Sequence, residues 1–587
     1  FYSFGPPSPP TQPHPAPAGA RTTPLGMGGA YPDVPTAGQP LLAGDAAAGA
    51  AYAVPQAQPP PGAPQPAACA YAYGPRARRD TGWALSYLLA LAAVAVFGVY
   101  GAKQQNPDYD ALASSAALAL PGTCPPNLAR GAQRAGAADG VLAALGDDVQ
   151  FDADHFLQQS RTWLLVSSAG ALALGLGFLV LVSRAPRFVV RVALLFQAGM
   201  CAAYGAALLS TGAVMGFVFG GLLLALSALL VYLVCRWPPQ FETCSRLLGV
   251  AGYAIRENPG VALAAVLIKL TLLAALAGHI ASAAVAARAG EPARYADVVE
   301  QGGVCVDARG ATVDCCYWRY DSWVPPAWAV ISLTALWSVF VAYDLKIYTV
   351  ADSMAQWYYL PQGASTGGTT LRALGHAMGP GFGSVAFGAF VLTAVEIVRQ
   401  AARNMRREAA RQGGAAALLA CLCECFIACV ADIIEFLSKF ALIEAAVTGL
   451  AFWQAGKQAT AMLKRHFATS YTVWWLPPTV LNTTAFLASF AFGYTVYAVS
   501  AGAFQADSGD TRTTERAVLA ALAGLMAMVV LGFFASLVLN AADTAFLLYT
   551  HDLEMSVVGK QEVHAVYAVV VPLVIAGAAT AAPVGAV

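Results

Sequence analysis

The chain has 587 residues, of which 58% are hydrophobic and only 11% charged. The 33 Lys and Arg balance 33 Asp and Glu, so no net charge draws the chain to nucleic acid. A mean hydropathy of +0.58 over this length excludes a secreted disulfide scaffold, a coiled coil and a water-soluble enzyme with one core, and implies many membrane spans.

The first 75 residues differ from the rest. They hold about half of the 35 prolines, and their only charged residues are Arg21, Asp33 and Asp45. Proline removes amide donors, and so little aliphatic surface cannot offset chain entropy. The composition predicts a disordered, proline-rich cytoplasmic tail over 1–75. It reads either as a plain extension or as a docking tail for a proline-recognising partner. No charged n-region with a short apolar core opens the chain, so no secretory signal is expected.

From Trp83 onward apolar runs recur near 83–101, 163–182, 190–209, 214–234, 261–285, 327–343, 380–398, 476–500 and 517–539. Each approaches the ~20 residues a helix needs to cross ~30 Å of hydrocarbon. The alternating ten-residue segments of a barrel are missing. The expected fold class is an all-α membrane protein.

Two stretches resist this reading. Residues 327–360 carry Asp344, Lys346 and Asp352 in the middle of an apolar run, and one straight helix would measure about 51 Å. Residues 415–456 are apolar but interrupted by Glu424, Asp432, Glu435, Lys439 and Glu444. They suit an in-plane helix pair, a re-entrant hairpin or a span.

Positive charge arbitrates. Arg76, Arg78 and Arg79 precede the first span, Arg184, Arg187 and Arg191 follow the second, and Arg236, Arg246 and Arg256 follow the fourth. All three groups agree if the N-terminus is cytoplasmic. Placing Arg399, Arg403, Arg406, Arg407 and Arg411 inside as well requires 327–360 to cross twice. The expectation is therefore about ten spans, with a broken helix around 344–361 and 415–456 as a helical segment on the inner face. The membrane domain runs over 76–554, with outer loops 102–162 and 288–326 and a C-terminal tail 555–587.

Candidate chemistry is sparse. Cys305, Cys315 and Cys316 lie in an expected outer loop, where a disulfide from Cys305 to either neighbour would order a hairpin. Cys421, Cys425 and Cys429 repeat every four residues on one helix face, with Cys423 between them. Small apolar packing, lipidation at an inner-leaflet helix, and a zinc site are the alternatives. The spacing is poor for zinc, and no metal is expected. No nucleotide, hydrolase or metalloprotease motif occurs, so neither an enzyme nor a cofactor is expected.

Trp328, Trp337, Tyr343, Tyr348, Trp357, Tyr358 and Tyr359 form the densest aromatic group of the membrane body. Aromatic faces attract quaternary ammonium, and the same residues also anchor helices at bilayer interfaces. Glu396, late in an apolar helix, is either a substrate or proton partner or the structural partner of Arg399. Polar breaks within many spans suit a transporter.

Three segments of the second half then become specific. GSVAFGAFVLTAVEIVRQ at 383–400 supplies Gly383, Ser384, Phe387, Gly388 and Arg399. CFIACVADIIEFLSKFALIEAAVTGLAFWQAGKQA at 425–459 supplies Cys425, Cys429, Phe436, Leu437, Ala441, Gly449, Phe452 and Lys457. ADTAFLLYTHDLE at 542–554 supplies Asp543, Thr544, Phe546, Asp552, Leu553 and Glu554. With AQWYYLP at 355–361, their order and spacing resemble the choline transporter-like family. Departures are Ser438 and Phe440 at its paired Asn positions, Leu442 at its Tyr, and His551 where relatives often carry a carboxylate.

The resemblance implies a ten-span transporter of choline or a related small amine, working as a facilitator or a proton-linked exchanger. Its partners would be membrane lipids and the amine, with no nucleic acid. A plasma-membrane location is expected, with an organelle membrane as the alternative. Trp328, Trp337, Tyr343, Trp357, Tyr358 and Glu396 are the candidate substrate residues. The alternative reading is a non-transporting membrane subunit that reuses the fold as a scaffold.

Overall fold

The structure is a computed structural model. It describes residues 70–107, 109, 153–210, 214–237, 239–294, 299–301, 304–306, 316–360, 366–412, 414–465, 467–500 and 509–567. In chain order the helices are α1 Thr81–Lys103, α2 Ala153–Arg184, α3 Pro186–Ser210, α4 Val214–Arg236, α5 Pro239–Glu257 and α6 Gly260–Ala287. Then come α7 Val324–Tyr359, α8 Thr369–Met378, α9 Phe382–Gln412 and α10 Gly414–Thr448. The last four are α11 Phe452–Arg465, α12 Phe467–Val499, α13 Gly509–Met555 and α14 Gln561–Tyr567. Four short strands, β1 Gly290–Arg294, β2 Val299–Gln301, β3 Val304–Val306 and β4 Cys316–Tyr320, lie between α6 and α7. β1 pairs antiparallel with β4, and β2 with β3.

Among the described residues, nine helices are long and apolar enough to cross a membrane. Their outward faces are apolar, as Leu85, Leu88, Leu89, Val96 and Val99 on α1 illustrate. A helix that is apolar all round needs a hydrocarbon or protein neighbour on every side.

α5, α8 and α11 are different. α5 buries Phe241, Cys244, Leu247, Leu248, Ala251, Ala254 and Ile255, and with them the polar Glu242, Thr243 and Ser245. α8 buries Thr369, Ala373 and Ala377, and α11 buries Phe452, Ala455, Ala459, Met462 and Leu463. α8 packs directly on α7. In the second half of α7, every residue from Lys346 to Tyr358 is buried.

Two expectations need correction. The break around 344–361 does not occur within α7, which is one helix from Val324 to Tyr359. Its polar residues face protein rather than lipid, so they need no hinge. The segment expected on the inner face is also different. Gly414–Thr448 is one helix, and Ala417–Thr448 is among the stretches of crossing length.

α9 and α10 form an antiparallel hairpin. Arg399 meets Asp432 at 2.9 Å, and Arg406 meets Glu424 at 2.8 Å. Asp80 holds both open ends of the hairpin, bonding Ser384 Oγ at 2.7 Å and the Phe452 amide at 2.8 Å. The basic cluster is therefore carried away from Asp80 and salt-bridged into the hairpin. Gly449, at φ +71°, ends α10 in the left-handed region that other residues adopt with strain.

Tyr71, in the stretch read as tail, is 3% exposed and bonds Asp352 of α7. The tail before them, the tail beyond 567, and Cys315 lie outside the described residues, as do the side chains of Cys305 and Cys316. The seven cysteines whose side chains are described are free, and Cys421, Cys423, Cys425 and Cys429 are exposed.

Candidate functional site

The candidate aromatics do not form one cage. Trp328 and Tyr358 are thirty residues apart on a continuous helix, about 45 Å at 1.5 Å per residue. Trp328 sits at the loop end, donating from Nε1 to the Ala283 carbonyl at 3.1 Å and meeting Tyr320 edge-on at 4.8 Å. Trp337 is buried, donates to the Ala386 carbonyl at 3.1 Å and packs edge-on against Tyr87 at 5.2 Å.

Trp357 and Tyr358 belong to the opposite end, called inner here after the charge expectation. Trp357 Nε1 donates to Glu257 at 2.6 Å, and Lys560 covers its ring at 4.6 Å. The face that would receive a cation already carries the chain's own ammonium. Tyr358 donates to Asp552 at 2.7 Å. Glu396 pairs with Arg399 at 3.4 Å, accepts from Gln400 at 3.3 Å and bonds Arg403. The structural partner, one of the two readings, is therefore in place.

Two buried carboxylates organise the inner end. Asp352 accepts from Tyr71 at 2.5 Å, Gln356 at 3.1 Å and Arg76 at 3.4 Å, and pairs with His376 at 2.7 Å. Asp552 accepts from Tyr358, from Tyr359 at 3.2 Å and from the Gly559 amide at 2.7 Å, and pairs with His564 at 2.8 Å. Both carboxylates are fully buried. Each is surrounded by donors, as a buried charge requires.

A third group lies about two turns along α7, toward the middle of the membrane body. Asp344 is 2% exposed, and its Oδ2 has no hydrogen-bond partner. A Cβ on Gly388 would lie 2.7 Å from that oxygen and 3.0 Å from the ring of Phe452. Carboxylate and ring thus border the same glycine. Phe387 meets Phe452 at 5.0 Å, and Trp83 stacks on Phe387 at 4.8 Å. Within the same turn of α7, Lys346 covers the Tyr343 ring at 5.1 Å and donates to Ser536 at 3.3 Å. Lys439 pairs with Asp543, which ties α10 to α13.

The family-motif residues now have contacts. Ser384 bonds Asp80, and Gly383 leaves room for the backbone of 79–80, whose carbonyls a Cβ would strike. Thr544 is buried and donates to Asn540 at 2.7 Å. Glu554 pairs with Arg465 at 2.6 Å. Lys457 is exposed over Trp453 at 5.8 Å. Sequence reasoning marked Asp344 and Asp352 only as interruptions. The signal it passed over was the carboxylate itself in an apolar run. Tyr71 and Arg76 gave no such signal, because their partners lie more than 270 residues away.

A family profile described as plasma-membrane choline transporter matches residues 221–554. The chain is similar to a CTL-like protein of Dictyostelium discoideum, 26% identical over 211 residues, 35% of this chain and 37% of the relative. It is similar to Protein PNS1 of Cryptococcus neoformans, 30% identical over 135 residues, 22% of this chain and 24% of the relative. It is also similar to Choline transporter-like 2 of Anopheles gambiae, 24% identical over 220 residues, 37% of this chain and 27% of the relative. The chain spans between 24% and 37% of the length of these curated relatives. The profile covers more than half of the chain and all three motifs, so this integral, multi-pass protein belongs to the choline transporter-like family, a family of transporters and not of enzymes.

Proposed function

We propose that this protein moves choline or a related small organic cation across a membrane, the plasma membrane first. One observation carries the site: the Asp344 carboxylate, buried in α7 with an unpartnered oxygen beside the Phe452 ring. A buried carboxylate supplies the counter-charge for an ammonium, and an adjacent ring supplies cation–π attraction of about 0.5–2 kcal/mol. Phe387 and Trp83 extend the aromatic surroundings, while the Tyr343 ring is covered by Lys346. The similarity to Choline transporter-like 2 of Anopheles gambiae supports choline as the first substrate to test.

In this reading Trp337 shapes the wall, Trp357 and Tyr358 close the inner end, and Trp328 anchors the other end. Glu396 holds the α9 arginines. Gly388 leaves room for the carboxylate, which a Cβ there would strike.

Purified protein in liposomes should accumulate radiolabelled choline above empty vesicles. Asp344→Asn, which keeps the side-chain shape, should lower uptake at least about tenfold, in line with losing a charged hydrogen-bond acceptor. Unchanged uptake by Asp344→Asn removes this site. No uptake by the wild type favours the non-transporting scaffold.

A further inference from the structure

We propose that residues 70–80 form a strap that gates the inner end of the path, latched by Tyr71 and Arg76 on Asp352. The proposal rests on the transport reading above and deepens it.

The strap is not helical, yet it is pinned along its length. The Ala72 amide donates to the Val447 carbonyl at 3.1 Å, and the Arg79 amide donates to the Pro380 carbonyl at 3.2 Å. Asp80 bonds the start of α9 and caps the start of α11. Tyr71 Oη and Arg76 Nη1 both reach Asp352, and Arg76 also bonds Tyr348 Oη at 3.1 Å. One segment therefore closes over α7, α9, α10 and α11. Gly383 lets it lie close, since a Cβ there would strike the strap backbone, and Gly381 makes room for the Tyr348 ring that Arg76 bonds.

Two features mark a closure that can reopen rather than a permanent seam. Arg76 has a side chain 2% exposed and lies over the Tyr71 ring at 5.1 Å, yet its Nε and Nη2 have no hydrogen-bond partner. A buried guanidinium with free donors gains hydrogen bonds when water reaches it. That partly offsets the loss of the latch. The strap also lies in line with the proposed site. Asp352 is two turns along α7 from Asp344, about 12 Å. Lifting the strap would wet Tyr348 and Asp352 and open a way toward Asp344.

The test uses the full chain in lipid nanodiscs and hydrogen–deuterium exchange. Tyr71→Phe removes the phenol contact and keeps the ring, and Arg76→Gln removes the guanidinium contacts and keeps a polar side chain. Each should speed exchange of the strap amides, including Ala72 and Arg79, by about tenfold, with the α7 stretch 331–341 unchanged. Saturating choline should change strap exchange in the wild type. Strap exchange unchanged in both variants, or raised only together with 331–341, overturns the gate. A strap indifferent to choline in protein that takes up choline also overturns it. Failure of the transport reading shows separately, as absent uptake by wild-type liposomes.

Discussion

Glu242 on α5 illustrates how a single carboxylate outside the spanning helices is held. Burial alone would raise its pKa. Donors from Arg187 at 2.8 Å, Arg246 at 2.6 Å and Trp237 at 3.1 Å outweigh burial and hold it down at about 2, from an ordinary 4.5. A folded pKa below the unfolded one means the stabilisation is complete above about 4.5 and is lost as pH falls toward 2. The melting temperature of the purified protein should fall through that window. Glu242→Gln should melt lower near neutral pH and show a flatter acid limb; equal acid slopes in both proteins would refute the assignment. At this scale the sequence was readable where a residue type is costly. A carboxylate inside an apolar run had to have a reason, and Asp344, Asp352, Glu444 and Asp543 are all buried. Two of the departures from the family pattern also find partners. His551 pairs with buried Glu444 at 2.7 Å, and Phe440 packs between Phe436 and Phe546.

At the scale of elements, Asp80 does more than its place before α1 suggests. Its carboxylate caps α11 through the Phe452 amide and holds α9 through Ser384. Both partners are more than 300 residues away, so no capping pattern in the local sequence could announce this. Asp80→Ala should cost about 1–2 kcal/mol, with faster amide exchange at the starts of both helices. Faster exchange at α1 alone would show that Asp80 serves only its own helix. The helices themselves were legible, because an apolar run of about 20 residues has few other solutions in a bilayer. The α9–α10 hairpin was not. Its charges look like an exposed basic loop followed by an interrupted helix, until Arg399 and Arg406 are placed opposite Asp432 and Glu424.

At the scale of the whole molecule, the Lys439–Asp543 pair joins the hairpin to α13 deep in the bundle. Removing one partner leaves a buried charge alone, while removing both leaves an apolar contact. Lys439→Met alone should destabilise by about 3–5 kcal/mol, and Lys439→Met with Asp543→Leu should recover most of that. Thermal unfolding of the three proteins checks this. Additive losses in the double variant would show that the two residues act separately.

Hydrophobicity by itself determined that this chain is an all-helical membrane protein, because only helices satisfy a backbone in hydrocarbon once a barrel pattern is missing. Three short motifs determined the family, because their residue types recur in one order. Tertiary structure alone decided which polar residues meet. It left α7 unbroken by surrounding it with α6, α8, α9, α10 and α13, and it separated the aromatics of that helix along its length. It also brought Tyr71 and Arg76 from the proline-rich side of the chain onto Asp352. Hydropathy records what a residue costs in lipid, and only the fold supplies the partner that meets that cost.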